Sequence, residues 1–348
     1  MQKDNFSRLE FSSLSGYNFY LFPDKINDGE NTIATHVPSD TQVRVVPLGA
    51  QKNKMSGRQA EWHSAILLDP VMKDYLEWPV DIVETVEDNV VKLYYIFNPK
   101  AYPTLKDISE LLYEDSGNNK NTLDWRNPWM MKIARNLLVA FDELDRNGYM
   151  YHNFSMKNIR YNPQTGDVLL KFSTKLRRKG SETVFHDIDA KSIATEFAPP
   201  YIYDKYKYSG RMDENADYYQ IAALLFRMMI GKLPYEGRQF YSNGTIMSKD
   251  FPIDPGAHQQ YFWAYHKRPR FIFEPGTDNE LGEDIRYEAP KERWNKLPES
   301  VKEMFVCSLK YDTALREEEV SLPTPAQWLK ALDALTGENN GRNVENNG

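Results

Sequence analysis

The sequence predicts an α+β protein with a strand-rich first part and a helical second part. Two observations support this prediction. Residues 17–97 contain five runs of β-branched and aromatic residues, each bounded by Asp, Gly, Asn or Pro, which is typical of strands joined by turns. From about Leu105 onward, apolar residues recur at spacings of three and four, which is typical of helices. The change of period near Leu105 therefore divides the chain into two parts of different structure.

The first part is predicted to contain five strands and one helix. The helix is expected around 59–68, between the third and fourth strands. The strands are expected at 17–22, 32–37, 43–46, 81–86 and 90–97.

The clearest helix of the second part is predicted over 128–147. Asn127 is a suitable N-cap, Pro128 suits the first helical position, and Gly148 is a natural stop. The apolar residues that share one face of this helix are Ile133, Leu137, Phe141 and Leu144. A second helix is predicted over 217–230, and because it is apolar nearly all round it should be buried. We expect these two helices to pack side by side.

Composition and charge exclude several classes of function. The chain has 348 residues and a net charge of -7, whereas nucleic-acid-binding proteins usually carry a basic face, so no nucleic acid is expected as a partner. Cys307 is the single cysteine, which excludes an internal disulfide framework and a cysteine zinc site. The longest apolar run, 221–230, is broken by Arg227 and is far shorter than the roughly 20 residues of a membrane span. No membrane partner is therefore expected, and because residues 1–7 have no apolar signal core, we expect a cytoplasmic protein.

Two segments of the second part carry the strongest chemical signal. Residues 151–158 read Tyr-His-Asn-Phe-Ser-Met-Lys-Asn, and the predicted strand that follows reads Val-Leu-Leu-Lys-Phe-Ser over 168–173. These segments resemble the catalytic core of protein kinases, whose pattern is H-R-D-L-x-x-x-N followed by a strand that ends in D-F-G. With Asn158 as the last residue of the first motif, Asn153 takes the place of the catalytic aspartate. Lys171 takes the place of the metal-binding aspartate.

Further segments extend the resemblance in the same order along the chain. Residues 216–235 resemble the central helix of the kinase C-lobe, and 309–316 resembles the late Leu-x-x-Asp-Pro-x-x-Arg motif. Residues 197–200 resemble A-P-E with Pro in place of Glu.

The resemblance implies a two-lobed protein-kinase-like fold with a β-rich N-lobe and a helical C-lobe. The N-lobe is then 17–98, preceded by an extension over 1–16. The C-lobe is 99–335, with an insertion around 237–298. Residues 336–348 are rich in Asn, Gly and Glu and are predicted to be disordered.

The positions that bind nucleotide in kinases are altered in the N-lobe. The candidate phosphate loop, 27–31, has one glycine flanked by two carboxylates that would repel a triphosphate. The resemblance places Val46 where kinases have the phosphate-binding lysine. Arg44 should share a sheet face with Val46, because strand side chains alternate, so Arg44 or Lys54 is a candidate substitute. Glu61 matches the glutamate that pairs with this lysine in kinases.

Of the positions that do chemistry in kinases, the C-lobe alters two, at Asn153 and Lys171, and retains one, at Asn158. Asn153 does not titrate and cannot accept a hydroxyl proton as a carboxylate does. Asn158 offers a lone neutral oxygen, whereas Mg²⁺ prefers carboxylates, so we interpret it as a brace of its loop. Lys171 would repel a divalent metal and is expected to pair with Glu61 or Asn158, or with a phosphate in the absence of metal. His152 can titrate near neutrality, but its position favours a structural role.

These substitutions predict a pseudokinase, which binds or regulates a protein partner without catalysis. No catalytic residue, metal site or cofactor is expected, and ATP binding without Mg²⁺ stays open. The alternative is an enzyme, either an atypical ATP-binding Ser/Thr protein kinase or another nucleotide-using transferase with displaced catalytic residues. Arg44, Lys171 and Asn158 would then act on the nucleotide.

The candidate partner-binding surface lies in the insertion, over 259–273. Interfaces are enriched in aromatic residues and Arg. The candidate contact residues are Tyr261, Trp263, Arg270, Phe271 and Phe273. The basic segment 175–179 is a candidate second contact. The alternative is an auxiliary core beneath a long insertion, which would bury these rings, whereas a binding surface needs at least three of them exposed and contiguous.

Overall fold

The structure is a computed structural model of the chain, and it falls into two compact units. Unit 1 comprises Met1–Leu105 and Leu170–Thr174, and unit 2 comprises Lys106–Leu169 and Lys175–Gly348. The residues that the structure describes are 9–12, 19–22, 32–47, 72–87, 90–97, 105–113, 123–152, 154–171, 176–179, 197, 199–200, 214–238, 269–283, 287–310 and 321–345.

Unit 1 is built on one six-stranded sheet. The strands are β1 (Leu9–Ser12), β2 (Phe19–Phe22), β3 (Thr32–His36), β4 (Thr41–Pro47), β5 (Asp81–Glu87) and β6 (Val90–Phe97). Their spatial order is β1-β2-β3-β4-β6-β5, and every neighbouring pair is antiparallel. The five predicted strands are confirmed as β2 to β6.

Strand β1 lies within residues 1–16, which the sequence predicts to be an N-terminal extension of the first lobe. It pairs with β2 over its whole length, from Leu9 opposite Phe22 to Ser12 opposite Phe19. Because β1 also lies beside β5, the two edges of the sheet approach each other. The segment before the predicted N-lobe therefore contributes an edge strand to the sheet.

One face of the sheet carries the core of unit 1. The buried cluster consists of Tyr20, Ala34, Val43, Val45, Val83, Tyr94 and Ile96. The buried carboxylate of Asp81 lies within this unit, where its Oδ2 accepts a hydrogen bond of 2.9 Å from the hydroxyl of Tyr20 and its Oδ1 accepts one of 2.8 Å from the Ile82 N–H. Burial, assisted by the hydrogen bond and charge of Asp81, raises the pKa of Tyr20 above its ordinary value. The phenol therefore stays protonated and keeps donating to the carboxylate.

Unit 2 is mainly helical. Its helices are α1 (Ile108–Tyr113), α2 (Pro128–Arg146), α3 (Glu214–Ile230), α4 (Glu288–Asn295), α5 (Glu299–Leu309) and α6 (Pro325–Glu345). Its short strands are β7 (Lys106–Asp107), β8 (Tyr149–Met150), β9 (Ile159–Tyr161), β10 (Val168–Leu170) and β11 (Arg177–Arg178). They form two small sheets, β10-β9-β7 and β11-β8, and the last residue of β10, Leu170, belongs to unit 1.

Helix α2 forms where the sequence predicts it. The side-chain oxygen of Asn127 accepts hydrogen bonds from the N–H groups of Trp129 at 3.0 Å and Met130 at 3.4 Å, which satisfies donors that a helix start leaves open. Gly148 follows the helix with a φ of 75°, a left-handed conformation that favours glycine. Helix α2 packs against α3 and α6, so the predicted pairing of the two long helices is confirmed.

Helix α6 extends further than the composition predicts. Its first half buries Trp328, Leu332 and Leu335 on one face. Packing of this face anchors the helix, and helices propagate cooperatively from an anchored turn. The helix continues to Glu345, so its last residues overlap the tail that the composition predicts to be disordered.

Aromatic side chains form the centre of unit 2. The cluster joins α3, α4, α5, α6 and the segment 269–283 through Phe226, Phe271, Phe273, Trp294, Phe305 and Trp328. Phe273 stacks on Trp294 with a centroid distance of 4.4 Å, and Phe226 meets Phe271 edge-on at 5.3 Å. Such rings bury a large apolar area each, so this cluster is a main source of the unit's stability.

Asp124 anchors α4 to the start of α2 through two arginines. Its carboxylate accepts hydrogen bonds from the side chain of Arg126, at 2.6 Å for the closest pair, and from Arg293 at 3.3 Å. Burial alone would raise the pKa of Asp124. The hydrogen bonds of Arg126 and the charges of both arginines outweigh this effect and hold the pKa below its ordinary value.

The depressed pKa of Asp124 predicts a contribution to acid sensitivity. A carboxylate whose pKa is lower in the folded state contributes stability above its unfolded pKa of about 4, and this contribution is lost as the pH falls through the folded pKa. We expect Asp124→Asn to destabilise the protein at neutral pH and to flatten the decline of the urea midpoint below about pH 4. The control is Asp333→Asn at the exposed ion pair with Arg135. If the urea midpoint of the Asp124 variant declines at acid pH as steeply as that of the unaltered protein, this assignment is contradicted.

Candidate functional site

The segment that resembles the kinase catalytic loop is held in unit 2 by Asp217 of α3. The two carboxylate oxygens of Asp217 accept the backbone N–H groups of Tyr151 and His152, the second at 2.9 Å. The same carboxylate lies 3.1 Å from Nδ1 of His152. All three residues are buried. One carboxylate on the central helix therefore fixes the start of the loop.

The backbone of His152 needs this restraint. Its φ is 51°, in the left-handed region that costs a non-glycine residue about 1–2 kcal/mol. The hydrogen bonds that Asp217 accepts offset that cost, because they satisfy the backbone N–H and the Nδ1 side of the His152 ring together. This geometry supports the interpretation of His152 as a buried, hydrogen-bonded residue of the loop.

The rest of the loop is braced by Tyr151. Its ring packs edge-on against Phe141 of α2 at 5.8 Å and against Phe154 at 6.0 Å. Its hydroxyl donates to the backbone carbonyl of Asn158 at 3.2 Å, and the Asn158 N–H donates to the carbonyl of Ser155 at 2.8 Å. Asn158 thus closes a turn of the loop.

Asn153 lies outside the described residues, as do Glu61, Lys54 and the candidate phosphate loop 27–31. The predicted helix at 59–68 lies there as well. The predicted meeting of Asn153, Asn158 and Lys171 in one cleft stays a prediction, because Lys171 belongs to unit 1 and Asn158 to unit 2.

In unit 1, Val46 takes the position of the kinase phosphate lysine, and it lies beside the aromatic end of strand β6. Val46 pairs with Tyr95 of β6, and Arg44 pairs with Phe97, so Val46 and Arg44 share the sheet face that the core cluster does not occupy. Tyr95 and Phe97 are both buried. The predicted shared face of Arg44 and Val46 is confirmed by this register.

Arg44 is engaged within its own unit. Its guanidinium forms an ion pair with the carboxylate of Glu77 and lies 4.6 Å from the ring centroid of Phe97. Glu77 was not predicted from the sequence, because it precedes strand β5 in a segment without a recognisable motif. The position of Glu77 between Leu76 and Trp78 could have indicated an ion pair, because a carboxylate that is buried among apolar residues needs a cation as its partner.

Lys171 follows strand β10, as the resemblance implies. Leu170 forms an isolated parallel bridge with Leu76. The N–H of Leu170 donates to the carbonyl of Tyr75 at 2.9 Å, and the carbonyl of Leu170 accepts the N–H of Glu77 at 2.7 Å. Glu77 and Lys171 therefore come next to each other in register, each one residue after the bridge. The pairing of Lys171 with Glu61 or Asn158 stays a prediction.

The described part of the chain contains neither a cluster of metal ligands nor a membrane-spanning helix. No group of three His, Cys, Asp or Glu side chains there is arranged to hold a metal ion. None of the helices in the described ranges combines the length and the apolar character needed to cross a bilayer.

The predicted partner-binding surface is wrong at Phe271. Phe271 is fully buried in the aromatic centre of unit 2, and Phe273 is half-buried there against Trp294. Arg270 is exposed, and its carbonyl accepts a hydrogen bond of 2.9 Å from Asn279. Tyr261 and Trp263 lie outside the described residues. The end of the segment 259–273 is therefore core, as the alternative interpretation states, because its aromatic residues fill the space between α3, α4 and α5.

The last residues of the basic segment 175–179 are bound to other parts of unit 2. Strand β11 pairs with β8, and the ammonium of Lys179 lies 2.7 Å from the carboxylate of Asp145, which also accepts the hydroxyl of Tyr218 at 2.5 Å. Arg178 is exposed, with its guanidinium 5.7 Å from the ring centroid of Tyr149. Lys179 is thus part of the internal structure of unit 2, whereas Arg178 stays accessible.

Comparisons with known proteins agree with this architecture. No protein-family model matches the chain. The chain is 26% identical, over an alignment of 162 residues, to the serine/threonine-protein kinase YPK3 of Saccharomyces cerevisiae. The match covers 44% of this chain and 30% of that protein.

Two solved structures from Toxoplasma gondii resemble nearly the whole chain. One is ROP2, described as a virulence factor with a protein-kinase fold and no enzymatic activity, with a TM-score of 0.50 and 16% identity over 96% of this chain and 85% of ROP2. The other is the kinase domain of a specific rhoptry antigen, with a TM-score of 0.50 and 12% identity over 94% of this chain and 85% of that domain. Together with the β-rich N-terminal unit and the helical C-terminal unit, these similarities show that the chain has the protein-kinase fold.

Proposed function

We propose that this protein is a pseudokinase, a non-catalytic domain that binds or regulates a protein partner through its kinase-like fold. The observation that carries the proposal is Lys171, a cation directly after β10, where kinases place the metal-binding aspartate of D-F-G. Phosphoryl transfer depends on Mg²⁺ to neutralise the developing charge. A lysine at this position disfavours the metal ion that the reaction needs.

The contrast between scaffold and chemistry supports the proposal. Asp217, Tyr151 and the capped helix α2 maintain the architecture around the loop. Val46 replaces the phosphate lysine, and the nearby Arg44 is bound to Glu77. Residues that hold the fold are thus retained, whereas the phosphate lysine, the catalytic aspartate and the main metal-binding aspartate of kinases are replaced at Val46, Asn153 and Lys171.

The similarity to ROP2, a kinase-fold protein described as having no enzymatic activity, is consistent with a fold used without catalysis. The similarity to YPK3 favours the second candidate function, an atypical Ser/Thr protein kinase. That candidate needs displaced residues to replace the catalytic base and the metal ligand, and Arg44, Lys171 and Asn158 are the groups it would use.

We expect the purified protein to transfer no phosphate from ATP above background with either Mg²⁺ or Mn²⁺. Loss of groups that stabilise transition-state charge commonly costs two or more orders of magnitude in rate, roughly 100-fold for a single donor. The measurement is transfer of radiolabelled γ-phosphate to the protein itself and to a basic generic substrate. A parallel thermal-shift titration with ATP, with and without Mg²⁺, should show no metal-dependent increase in Tm.

The control for contaminating kinases is the variant Lys171→Ala, prepared in the same way. Transfer that is present in the unaltered protein and abolished by Lys171→Ala or Asn158→Ala would overturn the pseudokinase proposal. Transfer that is equal in all three proteins would be assigned to a contaminant and would leave the expected result intact.

A further inference from the structure

Arg44 is held in unit 1 by an ion pair and by a cation–π contact, among its interactions. Its guanidinium pairs with the carboxylate of Glu77 and lies over the ring of Phe97 at 4.6 Å from the centroid. The Arg44 side chain is still 23% exposed, whereas that of Glu77 is 10% exposed. The Arg44 guanidinium is therefore partly accessible to a dissolved ligand, but it already forms an ion pair with the nearly buried carboxylate of Glu77.

Glu77 connects Arg44 to the segment that carries Lys171. Its N–H donates to the carbonyl of Leu170 at 2.7 Å, directly after the parallel bridge between Leu76 and Leu170. Lys171 is the residue that follows Leu170. One carboxylate thus lies between a guanidinium to which it is bound and a backbone segment that carries an ammonium group.

A carboxylate and a phosphate compete for the same arginine geometry. Both accept two parallel N–H bonds from a guanidinium, and such charge-assisted bonds are about twice as strong as neutral ones. A nearly buried carboxylate needs a cation, since burial of an unpaired charge is costly. Glu77 therefore holds Arg44 more firmly than an exposed carboxylate would, and an incoming polyphosphate has to displace it.

We propose that Glu77 is an internal competitor that occupies Arg44 and keeps unit 1 from binding polyphosphate anions. This inference rests on the proposed function, because it explains how a kinase fold with cations at Arg44 and Lys171 avoids binding nucleotide. The ligand class is a polyphosphate without a metal ion, either inorganic tripolyphosphate or the triphosphate of ATP. The device is the Arg44–Glu77 ion pair itself.

The test is titration calorimetry with sodium tripolyphosphate and, separately, with ATP, in EDTA at low ionic strength. Low salt is needed because screening weakens exposed charge interactions. For Glu77→Gln we expect affinity for tripolyphosphate to rise by about tenfold or more, the fold-change expected from one released charge-assisted hydrogen bond. An equal gain for ATP identifies the phosphates as the recognised group, whereas a larger gain for ATP adds a contribution from the nucleoside.

Two control variants locate the effect. Arg44→Gln combined with Glu77→Gln should lose the gain, because the released guanidinium is then absent. Glu110→Gln removes one negative charge at the exposed pair with Lys106 and should leave the affinity unchanged. If Glu77→Gln does not fold, Glu77→Leu keeps a similar volume at this nearly buried position, and the same gain is expected from it.

A folded Glu77 variant with the affinity of the unaltered protein overturns the inference, as does a gain that survives loss of Arg44. These outcomes are separate from failure of the proposed function, which would appear as metal-dependent phosphate transfer by the unaltered protein. An inactive unaltered protein whose Glu77 variant gains no affinity refutes this inference alone.

Discussion

Replacing Asp217 by alanine is expected to lower the free energy of unfolding of unit 2 by about 3–5 kcal/mol. The carboxylate accepts the N–H groups of Tyr151 and His152 and contacts the His152 ring, all in a buried setting. Each buried donor left without a partner costs about 1–3 kcal/mol. In addition, the left-handed backbone of His152 loses its restraint. The measurement is urea unfolding followed by far-UV circular dichroism.

Two further variants make this result specific. Asp217→Asn retains one acceptor but turns an amide group toward the second N–H, so an intermediate loss of about 2 kcal/mol is expected. Asp333→Ala breaks the exposed ion pair with Arg135 and should cost at most about 1 kcal/mol. Equal losses for Asp217→Ala and Asp333→Ala would show that Asp217 does not organise the loop.

The sequence predicted the regular elements of the fold because their signals are local. The cap, proline start and glycine stop of α2 all lie within the segment that they define, and hydrophobic spacing marks the face that it buries. The strands β2 to β6 were predicted for the same reason, since each is a β-branched or aromatic run between turn residues. Strand β1 was not predicted, because four residues in a polar segment carry too little periodicity to separate a strand from a loop.

The candidate site was less predictable because its contacts join residues far apart in sequence. Asp217 accepts hydrogen bonds from residues 65 and 66 positions away, and Arg44 is 33 positions from Glu77. Motif matching selects positions that a family uses, so it identified Arg44 and Lys171 but not the carboxylate that binds Arg44. Composition failed at Phe271 for a similar reason, because an aromatic residue fills a core as readily as it forms an interface.

Replacing Gly237 by alanine is expected to destabilise unit 2 by about 3 kcal/mol or more, since overpacking that forces the backbone to move exceeds the usual cost of an added methyl group. A Cβ at Gly237 would lie 1.7 Å from the backbone carbonyl oxygen of Asn279 and 2.7 Å from its side-chain oxygen. Asn279 cannot yield easily, because its buried amide donates to the carbonyls of Tyr235 and Arg270 at 2.9 Å each. The substitution therefore displaces the segment 269–283, which carries Phe271 and Phe273 into the aromatic centre.

The matched control is Gly276→Ala in the same segment. Gly276 has a φ of 75°, and nothing lies within 4 Å of an added Cβ. The expected cost is therefore only that of a left-handed alanine, about 1–2 kcal/mol. Near-UV circular dichroism, which reports aromatic packing, should change for the Gly237 variant and not for the Gly276 variant. Equal unfolding midpoints for the two variants would mean that Asn279 does not hold the segment 269–283 against the residues around Tyr235. Packing of the rings alone would then order the aromatic centre.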